Sequence, residues 1–187
     1  MVSKILKNSW YFFDQAISDE ICKKIIDSAK SFNYGKLHND GINKEIRKSG
    51  VYFTHEQWLY DSVWPFMEEA NKKAQWNYEI SSAEDFQITR YLKGEFYSEH
   101  TDGCIDHTSI YDIPENKFLD RKVRKLSMTA NLNDEYEGGE LEINGETVRM
   151  EKGTLVFFPS FLKHEAKLVI KGKRFSLVNW FLGPPFR

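Results

Sequence analysis

His100 and Asp102 stand two residues apart in RYLKGEFYSEHTDG, residues 90–103, and side chains two apart on an extended strand emerge on one face. An imidazole and a carboxylate aimed together are the beginning of a metal site. A lone His-x-Asp arises often by chance, so the reading needs a third ligand. His164 supplies one, in FFPSFLKHEA, where an apolar strand, a Pro-Ser turn and the start of a further strand follow in order. Of the other histidines, His38 and His55 fall in the N-terminal half and His107 in an irregular stretch. Two imidazoles and one carboxylate on one face of an octahedron leave three positions open, which is the ligand set of non-haem Fe(II) oxygenases; zinc accepts the same three ligands. Arg174 favours iron. It heads RFSLVNW and shares a strand face with Ser176, Val178 and Trp180. A guanidinium turned inward beside a metal is costly unless it meets an anion, and a carboxylate held by two parallel hydrogen bonds is its best partner.

The elements that must position these residues are short strands. From Phe86 onward, FQITRYL, EFYSEHTD, KLSMTANL, ELEI, ETVRM, TLVFF, HEAKLVI and RFSLVNWFL succeed one another, separated by Gly, Asn and Pro. Asn144-Gly145, between ELEI and ETVRM, fits a type I′ hairpin because both residues tolerate positive φ. So many strands and hairpin turns predict a sandwich or jelly roll.

The residues before Phe86 read as a helical support. Ser18 as N-cap, Asp19 and Glu20 in a first turn, and Ile21, Ile25, Ile26, Ala29 and Phe32 at helical spacing predict a helix with one buried face. THEQ, from Thr54, has the form of a capping box, and Trp58, Leu59, Phe66, Met67 and Ala70 continue a second helix that Pro65 must kink or restart. Between the helices, EIRKSGVYFT reads as a strand. RFSLVNWFL is apolar on both faces, with Val178 and Trp180 on one and Phe175, Leu177 and Phe181 on the other, so the helices must cover one sheet's outer face.

The chain of 187 residues, 41% hydrophobic and 15% aromatic, suffices for one substantial core. It carries no internal repeat, low-complexity tract or linker, which predicts one domain over residues 1–187, with 1–85 as support and 86–187 as core. With 26 basic against 28 acidic residues, no global field draws it to nucleic acid or acidic membranes. No run approaches the ~20 apolar residues of a membrane span, and the N-terminus lacks an apolar stretch of signal-peptide length. The expected location is the cytoplasm, with no membrane partner and no nucleic acid. Cys22 and Cys104 lack the paired spacing of a disulfide framework or a zinc site. A reducing compartment fits, and would keep iron ferrous.

Three strings, YLKGEFYSEHTD, RKLSMTANLNDEYEGGELEI and GTLVFFPSFLKHEAKLVIKGKRFSLVNW, together resemble the Fe(II)- and 2-oxoglutarate-dependent dioxygenases of the prolyl 4-hydroxylase type, bacterial and phage members included. The resemblance runs from about Phe86 to Phe181, with triad, arginine and the intervening EGGEL in the family's order. It implies a mainly β fold with N-terminal helices, a double-stranded β-helix (jelly roll) core and helices packed on one sheet. It also implies that His100, Asp102 and His164 bind Fe(II). Arg174 would grip the C5 carboxylate of 2-oxoglutarate, with Ser176 nearby, Tyr91 hydrogen-bonded to the co-substrate and Asn131 adding a polar contact. Arg124, Trp180 and Tyr97 match substrate-side positions, although strict alternation turns Tyr97 away from the His100 face unless a bulge intervenes. The implied reaction takes O₂ as a second co-substrate and ascorbate as reductant. It couples decarboxylation of 2-oxoglutarate to succinate and CO₂ with hydroxylation of an unactivated C–H.

The implied substrate is a prolyl residue in a peptide or protein. The alternatives are a free amino acid, another small molecule or a nucleobase, which an enclosed pocket would favour over an open groove, and a non-enzymatic jelly roll acting as a binding module. Residues 103–123 form the longest stretch without periodicity and read either as a lid or binding segment, with Tyr111, Pro114 and Phe118 placed to close over a peptide, or as a disordered loop. The adjoining RKVRK, residues 121–125, reads as a solvated turn or as a contact for acidic flanks or phosphates.

Overall fold

Ser18 caps the first helix as its sequence predicts: its Oγ accepts from the Ile21 N–H at 3.3 Å, and Cys22 and Ile25 form the buried stripe. The structure, a computed structural model, describes residues 8–36, 41–105 and 109–186. His38 and His107 lie outside the described residues. In chain order the elements of the support are β1 (Tyr11–Phe13), α1 (Asp19–Ser28), β2 (Asn33–Tyr34), β3 (Arg47–Lys48), β4 (Gly50–Thr54), α2 (Gln57–Lys73) and β5 (Ser82–Ala83). There follow β6 (Phe86–Leu92), β7 (Phe96–His100), β8 (Val123–Asn131), β9 (Tyr136–Gly138), β10 (Leu141–Ile143), β11 (Glu146–Val148), β12 (Leu155–Pro159), β13 (His164–Ala166) and β14 (Val169–Gly183).

These strands make two antiparallel sheets. The major sheet runs β1-β12-β8-β14-β6-β4-β2, with β5 and β9 also paired to β14, and the minor sheet runs β11-β10-β13-β7-β3. Alternation along the major sheet's strands separates two chemistries. Phe86, Ile88, Leu126, Met128, Leu155, Phe157, Leu177 and Phe181 face the helices and pack with Ile25, Leu59, Val63, Met67 and Ala70. Each such fully buried side chain contributes roughly 1.5–3 kcal/mol. The opposite face carries Gln87, Thr89, Ser127, Thr129, Arg174 and Ser176, all buried, toward the minor sheet. A smaller apolar core of Leu141, Ile143, Val148, Val156, Phe158 and Leu162 joins the sheets at one end.

The expected jelly roll with helices on one sheet is what forms, with local corrections. The second helix starts at Gln57, not Thr54; its N-cap is Glu56, without a side-chain bond, because Thr54 is held in the sheet by pairing with Phe86. Pro65 neither breaks nor restarts that helix. It lies on the exposed side, as does Asp61, whose carbonyl loses its usual donor there. EIRKSGVYFT is two strands rather than one: β3 pairs with β7 in the minor sheet and β4 with β6 in the major, so the chain changes sheets at Ser49. The first 85 residues are more than a helical support, since they add five strands to the two sheets. The Asn144-Gly145 turn has φ of 52° and 77°, the positive pair its hairpin requires.

Candidate active site

His100 ends β7 and His164 opens β13, directly opposite each other in the minor sheet. Asp102 lies just beyond the strand, where its N–H and that of Gly103 both donate to the Ser160 carbonyl, at 2.9 and 3.0 Å. That anchorage, rather than an extended strand through residue 102, brings the carboxylate back to the imidazoles. Asp102 Oδ2 is 3.2 Å from His164 Nε2, and Oδ1 is 3.7 Å from His100 Nε2. The ligand atoms of all three lie within 4.8 Å of one another. Ser127 Oγ donates to Asp102 Oδ2 at 2.7 Å.

Each imidazole turns Nδ1 to a backbone carbonyl, His100 to Ser98 at 2.8 Å and His164 to Leu162 at 3.0 Å. Both Nε2 atoms are therefore left with their lone pairs toward the common centre. Burial, then the neighbouring His164, pulls His100 down to about 4, so it presents a neutral ring at neutral pH. Burial pulls on His164 too, but the Asp102 carboxylate outweighs it and leaves the ring above its ordinary value. Burial would raise Asp102, yet His164 and His100 hold it well below the usual carboxylate range. An ionised carboxylate between two buried imidazoles fits one divalent ion with an open face.

Tyr97 illustrates how the strand departs from simple alternation. His164 pairs with His100 and Ala166 with Tyr97, so two residues of β13 span three of β7. This bulge turns Tyr97 back to the His100 face, and the two rings stack at 3.5 Å between centroids. Arg47, buried on β3, caps the stack with its guanidinium 4.5 Å from the Tyr97 ring. Arg47 was not among the residues singled out by sequence, since nothing in IRKSG distinguishes it from a surface cation.

Arg174 is 3% exposed and its Nε has no hydrogen-bond partner among the described residues. It pairs in register with Tyr91, whose ring lies 5.4 Å from the guanidinium. The glycine pair of EGGEL makes room for it: Gly139 has φ of 69°, and a Cβ there would stand 3.1 Å from Arg174 Cδ and 2.9 Å from Val169. A buried guanidinium with an unused donor fits an anionic ligand such as a carboxylate. Ser176 and Tyr91 border the same cavity. Asn131 does not. Its amide donates to the carbonyls of Asn133 and Met150 and its Oδ1 accepts from Tyr136, so the expected polar contact to a co-substrate is instead spent inside the scaffold.

Trp180 and Arg124, the two positions that the resemblance places on the substrate side, both border the cavity, and the guanidinium lies 4.0 Å over the indole. The unexpected participant is Glu84, which takes Arg124 in a two-point ion pair at 2.6 Å on each side and also accepts from Tyr111 at 2.8 Å. RKVRK is consequently no basic patch: Arg124 is paired, Lys125 is buried, and Lys122 donates to the Phe118 carbonyl and Ser82. Residues 109–122 are pinned by these bonds and by pairing of Tyr111 with Arg121 and Lys122. The whole cavity measures about 1320 Å³ and runs from Arg174 past the three ligands to Tyr34, Ile42 and Phe53, all of which are exposed.

Comparison with known proteins agrees with this geometry. A family profile for the 2OG-Fe(II) oxygenase superfamily matches residues 86–182. A protein of Acanthamoeba polyphaga mimivirus, provisionally named prolyl 4-hydroxylase, is 25% identical over 93% of this chain and 74% of its own length. A PKHD-type hydroxylase of Psychrobacter is 31% identical over 50% of this chain, and the match spans only 36% of that relative. Among solved structures, the viral collagen prolyl hydroxylase of Paramecium bursaria Chlorella virus-1, determined with 2OG, superimposes with a TM-score of 0.68 at 19% identity, covering 94% of this chain and 97% of that one.

Proposed function

The chain belongs to the 2OG-Fe(II) oxygenase superfamily, and from that premise we propose that it hydroxylates a prolyl residue within a peptide or protein. The substrate C–H becomes C–OH while 2-oxoglutarate and O₂ are converted to succinate and CO₂. In this reading His100, Asp102 and His164 hold the iron, which supplies the oxidising power toward an unactivated C–H. The remaining work belongs to the protein: binding, orientation and exclusion of water. Arg174 receives the C5 carboxylate of 2-oxoglutarate, with Tyr91 and Ser176 beside it. Tyr97, held between His100 and Arg47, and Trp180, held under Arg124, line the cavity on the side given to the target residue. Ascorbate as reductant and a reducing cytoplasmic setting, in which Cys22 and Cys104 stay thiols, complete the proposal.

The observation that carries the substrate class is the cavity itself. At about 1320 Å³ it exceeds the ~300–1,000 Å³ of sites that enclose small molecules, and its mouth is rimmed by exposed Tyr34 and Phe53. A peptide needs that opening. The test is anaerobic titration of the protein with Fe(II) and 2-oxoglutarate, watching for the visible charge-transfer band of a chelated keto acid, then O₂ with and without proline-rich peptides. Succinate formation stimulated by peptide, with an oxygen added to proline by mass spectrometry, is the expected result. A band without peptide stimulation would transfer the proposal to small molecules or nucleobases. Absence of the band in folded, iron-loaded protein would leave a binding module.

A further inference from the structure

A second groove of about 940 Å³ lies against α2, walled by Tyr60 and Trp64, by Phe53 at the end of β4, and by Phe118 from the loop after Cys104. Phe53 and Glu84 border both this groove and the active-site cavity, so the two are neighbours that share a wall. Its aromatic wall is held in place from behind. Tyr60 Oη donates to the Glu84 carbonyl at 3.0 Å, Trp64 Nε1 donates to Glu68 at 3.0 Å, and the Trp64 ring packs on Phe181 with centroids 5.8 Å apart. Phe118 is anchored through its carbonyl, which accepts from Ser82 Oγ at 2.6 Å, while its side chain is left 74% exposed.

The groove is acidic on balance. Asp61 and Asp85, both exposed, line it together with Glu84. Glu84 is paired with Arg124, and Lys122 reaches the edge, where it donates to Ser82 and to the Phe118 carbonyl, so the two aspartates outnumber it. Firm aromatic faces next to carboxylates select a polyproline II segment bearing a cation, because prolines stack on the rings at little entropic cost and a basic side chain meets the acids.

We propose that this groove docks the part of the polypeptide substrate flanking the hydroxylated residue, and that this flank is proline-rich and carries a lysine or arginine. The inference rests on the reading that the cavity takes a peptide. Two probes separate them, the tripeptide Pro-Pro-Lys and the same triplet repeated to nine residues, which as a polyproline II helix spans about 28 Å. In the unmodified enzyme, lengthening should lower KM by about tenfold with little change in kcat, an extra docking free energy of about 1.4 kcal/mol. Phe118→Ser and the double change Asp61→Lys, Asp85→Lys, all at exposed positions, should abolish that advantage while KM for the tripeptide and peptide-independent succinate formation stay as they were. Equal KM values for the two peptides, or a length advantage that survives both variants, would overturn the groove. Calorimetric titration with the nine-residue peptide reads docking without turnover. Saturable binding weakened about tenfold by the charge reversal would support the groove even if neither peptide were hydroxylated, an outcome that would sink only the prolyl reading. No binding would overturn the groove.

Discussion

Arg174 reaches the cavity with Nε unpaired, and a charge-assisted two-point contact to a carboxylate is what such a donor lacks. Arg174→Ala should therefore weaken 2-oxoglutarate binding about 100-fold, corresponding to ~3 kcal/mol, with Fe(II) affinity unchanged. Equilibrium dialysis of each ligand checks this, and unaltered co-substrate affinity would reassign the arginine. Lys125 is the opposite case, a buried cation outside any ion pair among the described residues. It is 4% exposed, with Nζ 3.4 Å from the Phe186 ring centroid, and burial, partly offset by Glu79, lowers it to about 8 from its ordinary 10.5. The folded state then binds this proton more weakly than the unfolded chain does. The penalty is complete below about pH 8 and is relieved as pH rises toward 10.5. Lys125→Met should raise stability at pH 7 by about 1–3 kcal/mol, with the gain fading by pH 10. Denaturant melts at the two pH values decide it, since equal gains would mean that packing rather than charge is responsible. That His100, Asp102, His164 and Arg174 gather at one cavity was legible from residue type and spacing, because metal and carboxylate chemistry restricts which side chains can serve. Glu84 was not: it stands 40 residues from Arg124, and no local pattern pairs residues that only the tertiary fold brings together.

At the scale of elements, alternation was a sound guide wherever a strand is regular and failed where it is not. It correctly divided β14 into a helix-facing row and a cavity-facing row, with Leu177 and Phe181 on the first and Arg174, Ser176 and Trp180 on the second. It misplaced Tyr97 because one additional residue of β7 is accommodated before His100, and a bulge leaves no reliable mark on composition. The polar contact that the resemblance implied for Asn131 is a different matter, since its amide is engaged by the turns around Asn133 and Met150. The Gly138-Gly139 turn shows an element shaped for a neighbour's sake. Gly139→Ala would place a Cβ against Val169 and Arg174 Cδ at a φ of 69°. A loss of about 1–3 kcal/mol in stability is expected, accompanied by weaker 2-oxoglutarate binding in the fraction that remains folded. Normal co-substrate affinity in the folded variant would show that β9 and β14 adjust without moving the guanidinium.

For the molecule as a whole, the two faces of the major sheet divide the labour. The helix side holds most of the apolar core, whereas the side facing the minor sheet is lined by Gln87, Thr89, Ser127, Thr129 and Ser176, which stabilise little without ligands. Bound ligands should accordingly be felt as stability. Metal and 2-oxoglutarate, each at 100 times its dissociation constant, should add ~2.7 kcal/mol apiece, or about 5–10 °C in melting temperature per ligand for a domain of this size. Anaerobic melts with Mn(II) in place of iron measure it, and Arg174→Ala should keep the metal increment and lose the second one. The position of β14 between β6 and β8 has a further consequence, for synthesis. β14 follows both neighbours in the chain, and at ~5–20 residues per second Val169 leaves the ribosome roughly 4–15 s after Leu92. Over that interval β6, joined by β8 for roughly the last 2–8 s, is a nascent strand with an unclaimed edge, and Arg174, carried by β14, joins the two histidines and the aspartate last.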